Sequence, residues 1–249
     1  FFSGCVMRCV FCQNHEVSAG GFGKDVTVER LAEIFLELQQ RGAYNINLVS
    51  PTPFVPQIIK ALDIAKPRLS IPVVYNTGGY ERVETLRAIE GLVDIYLTDY
   101  KYASGALAAR YSAAADYPAV ADAALCEMVR QQADCAFDGD LLTRGVIVRH
   151  LVLPTHADDS CEVVRRVYET YGDRVILSLM SQYTPVGDCG GFAELASPVS
   201  ADEYGRVVDF AISLGVENAF IQEGGAVSES FIPAFDTTGV LPEKKENRK

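Results

Sequence analysis

The sequence predicts an α/β protein, with a parallel sheet rolled into a full or partial (β/α) TIM-type barrel. Short β-rich runs alternate with amphipathic helical periods along the chain, the rhythm of parallel strands joined by right-handed crossovers. The 249 residues suit a barrel of this kind as one domain. A bunched set of cysteines follows the first apolar residues directly, which puts it at a C-terminal strand end, where such barrels carry their functional groups.

Taken in order, Phe1-Phe2-Ser3 reads as the tail of a strand whose beginning lies upstream, so a truncated N-terminus is expected. Further strands are expected at residues 45–50 (NINLVS), 71–76 (IPVVYN), 93–99, 145–153 (GVIVRHLVL), 175–180 (VILSLM) and 219–223 (AFIQE), about seven in all. Between them, residues 27–41 repeat apolar side chains at Val28, Leu31, Ile34 and Leu38, with Thr27 as N-cap and Gly42 as stop. Ser200 and Glu203 form a capping box ahead of a helix that ends at Gly215. Residues 54–65, 81–89, 118–132 and 161–171 follow the same scheme. One domain spans 1–242, and residues 243–249, without an apolar side chain to bury, are expected to be a disordered tail.

Nearly half the residues are hydrophobic and 22% are charged, the balance of a globular chain with a large core. The net charge of −11 argues against a nucleic-acid partner, whose phosphates need a basic surface. No run of eighteen apolar residues is present, so no membrane span is expected. Seven cysteines, three bunched and four scattered (Cys126, Cys135, Cys161 and Cys189), do not form an even disulfide framework. A reducing cytoplasm is the expected compartment.

Cys5, Cys9 and Cys12 give the spacing C-x3-C-x2-C. Three thiolates hold three irons of a 4Fe-4S cubane and leave the fourth iron open for another ligand. Structural zinc is the competing reading, with His15 as the nearby fourth ligand.

The triplet, with Phe11 just before its last cysteine, resembles the signature of the radical S-adenosylmethionine (radical SAM) superfamily. The resemblance implies a barrel of radical SAM type and two cofactors, the cluster and S-adenosylmethionine (SAM). In that family SAM chelates the open iron, and reductive cleavage gives a 5'-deoxyadenosyl radical that abstracts hydrogen. The strings FFSGC, RCVFCQN, VVYNTGGYE, VDIYLTDYKY, IVRHLVLP and QYTPVG are similar to the pyruvate formate-lyase-activating-enzyme-like branch. That branch implies an oxidoreductase acting on a glycyl radical enzyme, with flavodoxin or ferredoxin as electron donor. The alternatives are a radical SAM enzyme acting on a small molecule or another protein residue, and a non-catalytic cluster-binding protein.

The strand ends supply the remaining candidates. The family commonly has Gly-Gly-Glu at its second strand end to receive the SAM amino group, whereas this chain reads Ser50-Pro51-Thr52-Pro53, so Ser50 and Thr52 are the candidates there, against a plain proline turn. Asn76 and Thr77 precede Gly78 and Gly79, whose freedom allows close approach to a ligand. Asp99 and Lys101 share a strand face and resemble the Asp-x-Lys that activases use around SAM. Arg149 suits a carboxylate or the adenosine, and His150 suits either a ribose or carboxylate contact or a place in the core.

Overall fold

The computed structural model describes residues 2–186, 189–222 and 238–241. In chain order the elements are α1 (His15–Ser18), α2 (Val28–Gln40), β1 (Ile46–Val49), α3 (Val55–Ala65), β2 (Val73–Thr77), α4 (Val83–Ala88), β3 (Ile95–Asp99), α5 (Gly105–Ser112), α6 (Tyr117–Gln131), β4 (Ala136–Asp138), β5 (Leu141–Leu151), α7 (Ala157–Tyr171), β6 (Ile176–Met180), α8 (Ala201–Ser213) and β7 (Ala219–Ile221). The strands form a sheet ordered β1-β2-β3-β5-β6-β7, parallel throughout, with β4 turned back antiparallel on β5. Among the described residues β1 and β7 do not pair, so the sheet is an open, partial barrel.

The expected alternation is present, with α1, α5 and β4 added to the expected elements and some boundaries moved. The β4–β5 hairpin starts the fifth strand run at Leu141 rather than 145, and α7 starts at Ala157 rather than 161. The expected first strand is reduced to one link, from the Phe2 N–H to the Val49 oxygen at 3.0 Å. The expected disordered tail and the end of the 219–223 strand lie outside the described residues.

Caps act as the sequence suggests. The Thr27 hydroxyl accepts from the Arg30 N–H, and the Ser200–Glu203 capping box is complete. Each offers an otherwise orphaned helix N–H an acceptor. Helices α2 and α3 bury Phe35, Leu36, Ile58 and Leu62 against Ile46 and Leu48 of β1 in a small core of their own, while the remaining strands share the main one. No helix among the described residues is long and apolar enough to cross a membrane. On α2 the nearly buried Arg30 pairs with Glu33 and Glu37 and donates to the Gly239 and Val240 carbonyls.

Strand alternation separates the two faces of the sheet. Tyr96, Val146, Val148, Leu177 and Leu179 are buried, whereas Leu97, Asp99, Ile147, Arg149, Leu151, Ser178 and Met180 are partly open. Register sets Asp99, Arg149 and Ser178 side by side, so partners on adjacent parallel strands point the same way.

Gly79, just past β2, sits at φ +81, and a Cβ there would drive into the Asp99 carbonyl. Gly205 in α8 faces open space. Gly79→Ala is therefore expected to cost about 2 to 4 kcal/mol, and Gly205→Ala to gain about 0.5 to 1 kcal/mol. Urea unfolding of both variants measures this, and equal midpoints would refute the backbone account.

Candidate functional site

The cysteine loop has little regular structure of its own and is held by a helix end. The N–H groups of Arg8 and Val10 donate to the carbonyls of Ser112 and Tyr111, at 3.3 and 2.9 Å. These carbonyls lie in the last turn of α5, where helical partners run out. Met7 and Phe11 anchor the loop in the main core.

Every thiol of the triplet has a polar neighbour. Cys5 Sγ accepts from the Met7 N–H at 3.5 Å, Cys9 Sγ accepts from Ser112 Oγ at 3.0 Å, and Cys12 Sγ lies 3.3 Å from Ser18 Oγ. Burial pushes the Cys9 thiol up, although Lys101 and Ser112 act to lower it. Among the described residues no three His, Cys, Asp or Glu side chains converge on a position for a single ion. A cubane asks less, because its thiolates bond three different irons.

The loop overhangs the ends of β1 and β2. A small cavity between them is lined by Cys5, Met7, Ser50, Thr52, Thr77 and Gly78, among others. Ser50 holds the left-handed conformation at φ +54, a strained place for a residue with a Cβ. Its N–H donates to the Asn76 carbonyl. Gly78 is wedged between the loop and β3, since a Cβ on it would come within 3.4 Å of Met7 Sδ and 3.6 Å of Lys101 Cε.

A polar network then crosses three strand ends. Lys101 Nζ lies 2.5 Å from Asp99 Oδ2, Arg149 Nε donates to Asp99 Oδ1 at 2.9 Å, and an Arg149 amino group reaches Asn76 Oδ1 at 2.8 Å. Burial works against the Asp99 carboxylate, yet Arg149 and Lys101 together hold its pKa below the usual range. Burial likewise opposes the Lys101 ammonium, and Asp99, with Cys9, more than offsets it. The buried Tyr117 hydroxyl fixes the geometry from beneath. It accepts from the Lys101 N–H at 2.8 Å and donates its proton between the Gly78 and Asp99 carbonyls, 2.9 and 3.1 Å away.

The structure thus brings together Cys5, Cys9, Cys12, Ser50, Thr52, Asn76, Asp99, Lys101 and Arg149. It does not bring His150 with them. His150 alternates with Arg149 and falls on the helix-covered face, 1% exposed, with Nδ1 2.7 Å from the Tyr100 oxygen. That is the core placement, the second of the two roles the sequence allows, rather than a contact at the strand ends, and among the described residues its Nε2 meets no hydrogen-bond partner. Burial pushes its pKa down to about 4, which keeps the ring neutral.

Sequence reasoning missed four buried groups: Glu81, Tyr102, Ser112 and Tyr117. Glu81 accepts from both the Thr52 and Thr77 hydroxyls, so the Thr52 proton is already committed. Burial raises the Glu81 pKa, despite those donors. Glu81 was visible at the end of VVYNTGGYE, but nothing in that string showed that Thr52 would reach it.

Comparison with known proteins places this geometry. Residues 1–103 match the model of the Radical SAM superfamily. The chain is 28% identical over 220 residues to the uncharacterized protein MJ0674 of Methanocaldococcus jannaschii, an alignment over 85% of this chain and 60% of that protein. Crystal structures of Streptococcus suis SuiB bound to S-adenosylmethionine and to its precursor peptide SuiA share the fold, with TM-scores of 0.60 and 0.61 at 12% and 13% identity. They align with 91% of this chain and about half of SuiB. The chain therefore spans under two thirds of the length of these relatives. A radical SAM domain takes a 4Fe-4S cluster and SAM as cofactors. The donor set fits the cluster, with three thiols in one anchored loop, two of them beside serine hydroxyls and the first accepting from a backbone N–H. Iron would supply the positive charge that the buried Cys9 needs to ionise.

The His150 geometry has a consequence in acid. An ordinary histidine titrates near 6.5, so below that pH the unfolded chain takes up a proton that folded His150 refuses until about pH 4. The stabilisation is complete above about pH 6.5 and is lost as pH falls through this window, by at most about 1.4 kcal/mol per pH unit. Urea midpoints for the parent and His150→Gln should converge with acidification, and parallel curves would rule out a neutral buried ring.

Proposed function

We propose that this chain, whose residues 1–103 match the model of the Radical SAM superfamily, is an enzyme that holds a 4Fe-4S cluster on Cys5, Cys9 and Cys12 and SAM across the neighbouring strand ends. One observation carries the reading, namely that the anchored cysteine loop and the Asn76–Arg149–Asp99–Lys101 network border the same glycine, Gly78. When bound, the two cofactors supply one-electron cleavage of SAM and hydrogen abstraction from a substrate.

The chain's own residues bind and orient. Asp99, held ionised, offers an acceptor for an amino or ribose group, while Lys101 and Arg149 offer donors to a carboxylate. Ser50 and Thr52 border the Cys5 side of the same space. Tyr117 keeps the Gly78, Asp99 and Lys101 backbones in register beneath it.

The substrate class proposed is a peptide or protein segment. Two points support it: the fold is shared with SuiB, which has been solved with its precursor peptide, and among the described residues the sheet is open between β1 and β7. The finer reading, from the resemblance of the strand-end strings, is activation of a glycyl radical enzyme of the pyruvate formate-lyase kind. Flavodoxin or ferredoxin is the proposed electron donor. All seven cysteines are free, which agrees with a reducing cytoplasm.

Anaerobic reconstitution should give about four irons and four sulfides per chain. Cys5→Ala, Cys9→Ala and Cys12→Ala should each abolish the cluster, whereas Cys126→Ala, Cys135→Ala and Cys161→Ala should retain it. Stoichiometric zinc in place of iron, bound with His15, would overturn the assignment.

In the cluster-loaded protein, Asp99→Ala and Lys101→Ala should weaken SAM binding about ten- to a hundredfold, because each strands a partner in a half-buried pair. Iron content should be unchanged. Isothermal titration measures the effect, and affinities within about twofold of the parent would reduce the pair to a structural role.

A further inference from the structure

The surroundings of the three thiols are unequal. Cys5 has one long backbone donor, and Cys12 meets Ser18 at the half-buried fringe of the loop. Cys9 accepts a short bond from Ser112 Oγ, 3.0 Å away, and Ser112 Oγ is itself 2.7 Å from the Tyr102 hydroxyl. Ser112 and Tyr102 are both 1% exposed, so water does not compete for either group.

Counting protons fixes the direction of this chain. Ser112 has one hydroxyl proton and gives it to sulfur, so Tyr102 donates to Ser112. The phenol keeps the proton it needs, since burial raises its pKa well above the ordinary value. The backbone fixes the geometry as well. Tyr102 follows Lys101 at the end of β3, and Ser112 ends α5, whose last carbonyls already grip the cysteine loop.

A hydrogen bond donated to a ligating thiolate draws off part of the sulfur's negative charge. It stabilises the more electron-rich reduced cluster more than the oxidised one, and so raises the reduction potential. We infer that the Tyr102–Ser112 hydroxyl pair sets the reduction potential of the cluster through Cys9, making it easier to reduce by an external one-electron donor. The inference rests on the cluster reading above. It assigns Ser112 and Tyr102 as positioning and tuning residues, with no bond made or broken in the protein.

The test uses the anaerobically reconstituted parent with Ser112→Ala, Ser112→Thr, Tyr102→Phe and the Ser112→Ala/Tyr102→Phe double variant. Iron and sulfide content is measured first. The midpoint potential then follows from a redox titration read by electron paramagnetic resonance, without SAM. Ser112→Ala should keep its iron and shift to more negative potential. Its reduced-to-oxidised ratio at a fixed potential should fall about three- to tenfold, or about 30 to 60 mV for a one-electron couple. Tyr102→Phe should shift the same way by less, and Ser112→Thr should match the parent. The double variant should match Ser112→Ala while leaving no buried hydroxyl unpaired, which covers any failure of the single variant to fold. Full clusters at the parent potential in Ser112→Ala or the double variant would overturn the tuning role. So would loss of iron in both, which would make Ser112 a support for Cys9 alone. A parent that holds no cluster would overturn the functional reading itself, an outcome distinct from an unshifted potential.

Discussion

The cysteine loop depends on two backbone hydrogen bonds, from the Arg8 and Val10 N–H groups to the final carbonyls of α5. A helix end normally leaves such carbonyls to water or to a cap. Here the left-handed Ala113 ends α5, and the loop takes up the acceptors that remain. The same short helix supplies the Ser112 hydroxyl to Cys9. The position of the three thiols relative to the sheet therefore follows from the position of α5, which Ser104 caps immediately after β3. The network at the mouth has the same origin, because Asp99 and Lys101 lie at the end of that strand.

Much of the fold was legible because the signals were local. Amphipathic periods located α2, α3 and α8, and β-branched runs located β2, β5 and β6. Elements without such a signal were not found. Helix α5 (GALAARYS) is rich in alanine and weakly periodic, and α1 is a single turn. The β4–β5 hairpin turns at Gly139-Asp140, between the paired Asp138 and Leu141, with Gly139 at φ +58. A glycine at the first position of a two-residue loop is a hairpin signal, one that the strong strand after it overshadowed. Helix α7 begins with Ala157 and three polar residues, which delayed its apparent start.

At the site, the legible residues were those that strand ends and motif spacing place by themselves. Asp99, Arg149, Asn76 and Lys101 meet because parallel register aligns the ends of β2, β3 and β5. His150 and Arg149 are neighbours in sequence, so both looked like ligands of one cavity, but successive strand residues face opposite ways. Glu81, Ser112 and Tyr117 were illegible for another reason. Their partners lie 29, 103 and 39 residues away, and only the packed fold brings such groups together.

The grip of Arg30 on the Gly239 and Val240 carbonyls joins positions 209 and 210 residues apart. A chain is synthesised from its N-terminus, so α2 exists long before the carbonyls it will hold. Closing so long a loop is also entropically unfavourable until other contacts have drawn its ends together. Glu33 and Glu37 lie on α2 with Arg30 and pair with its guanidinium within the same helix, contacts that do not wait for the distant carbonyls. The contact is temporal as well as spatial: it forms only after the seven described strands have been made, a late fastening between two distant stretches of the nascent chain.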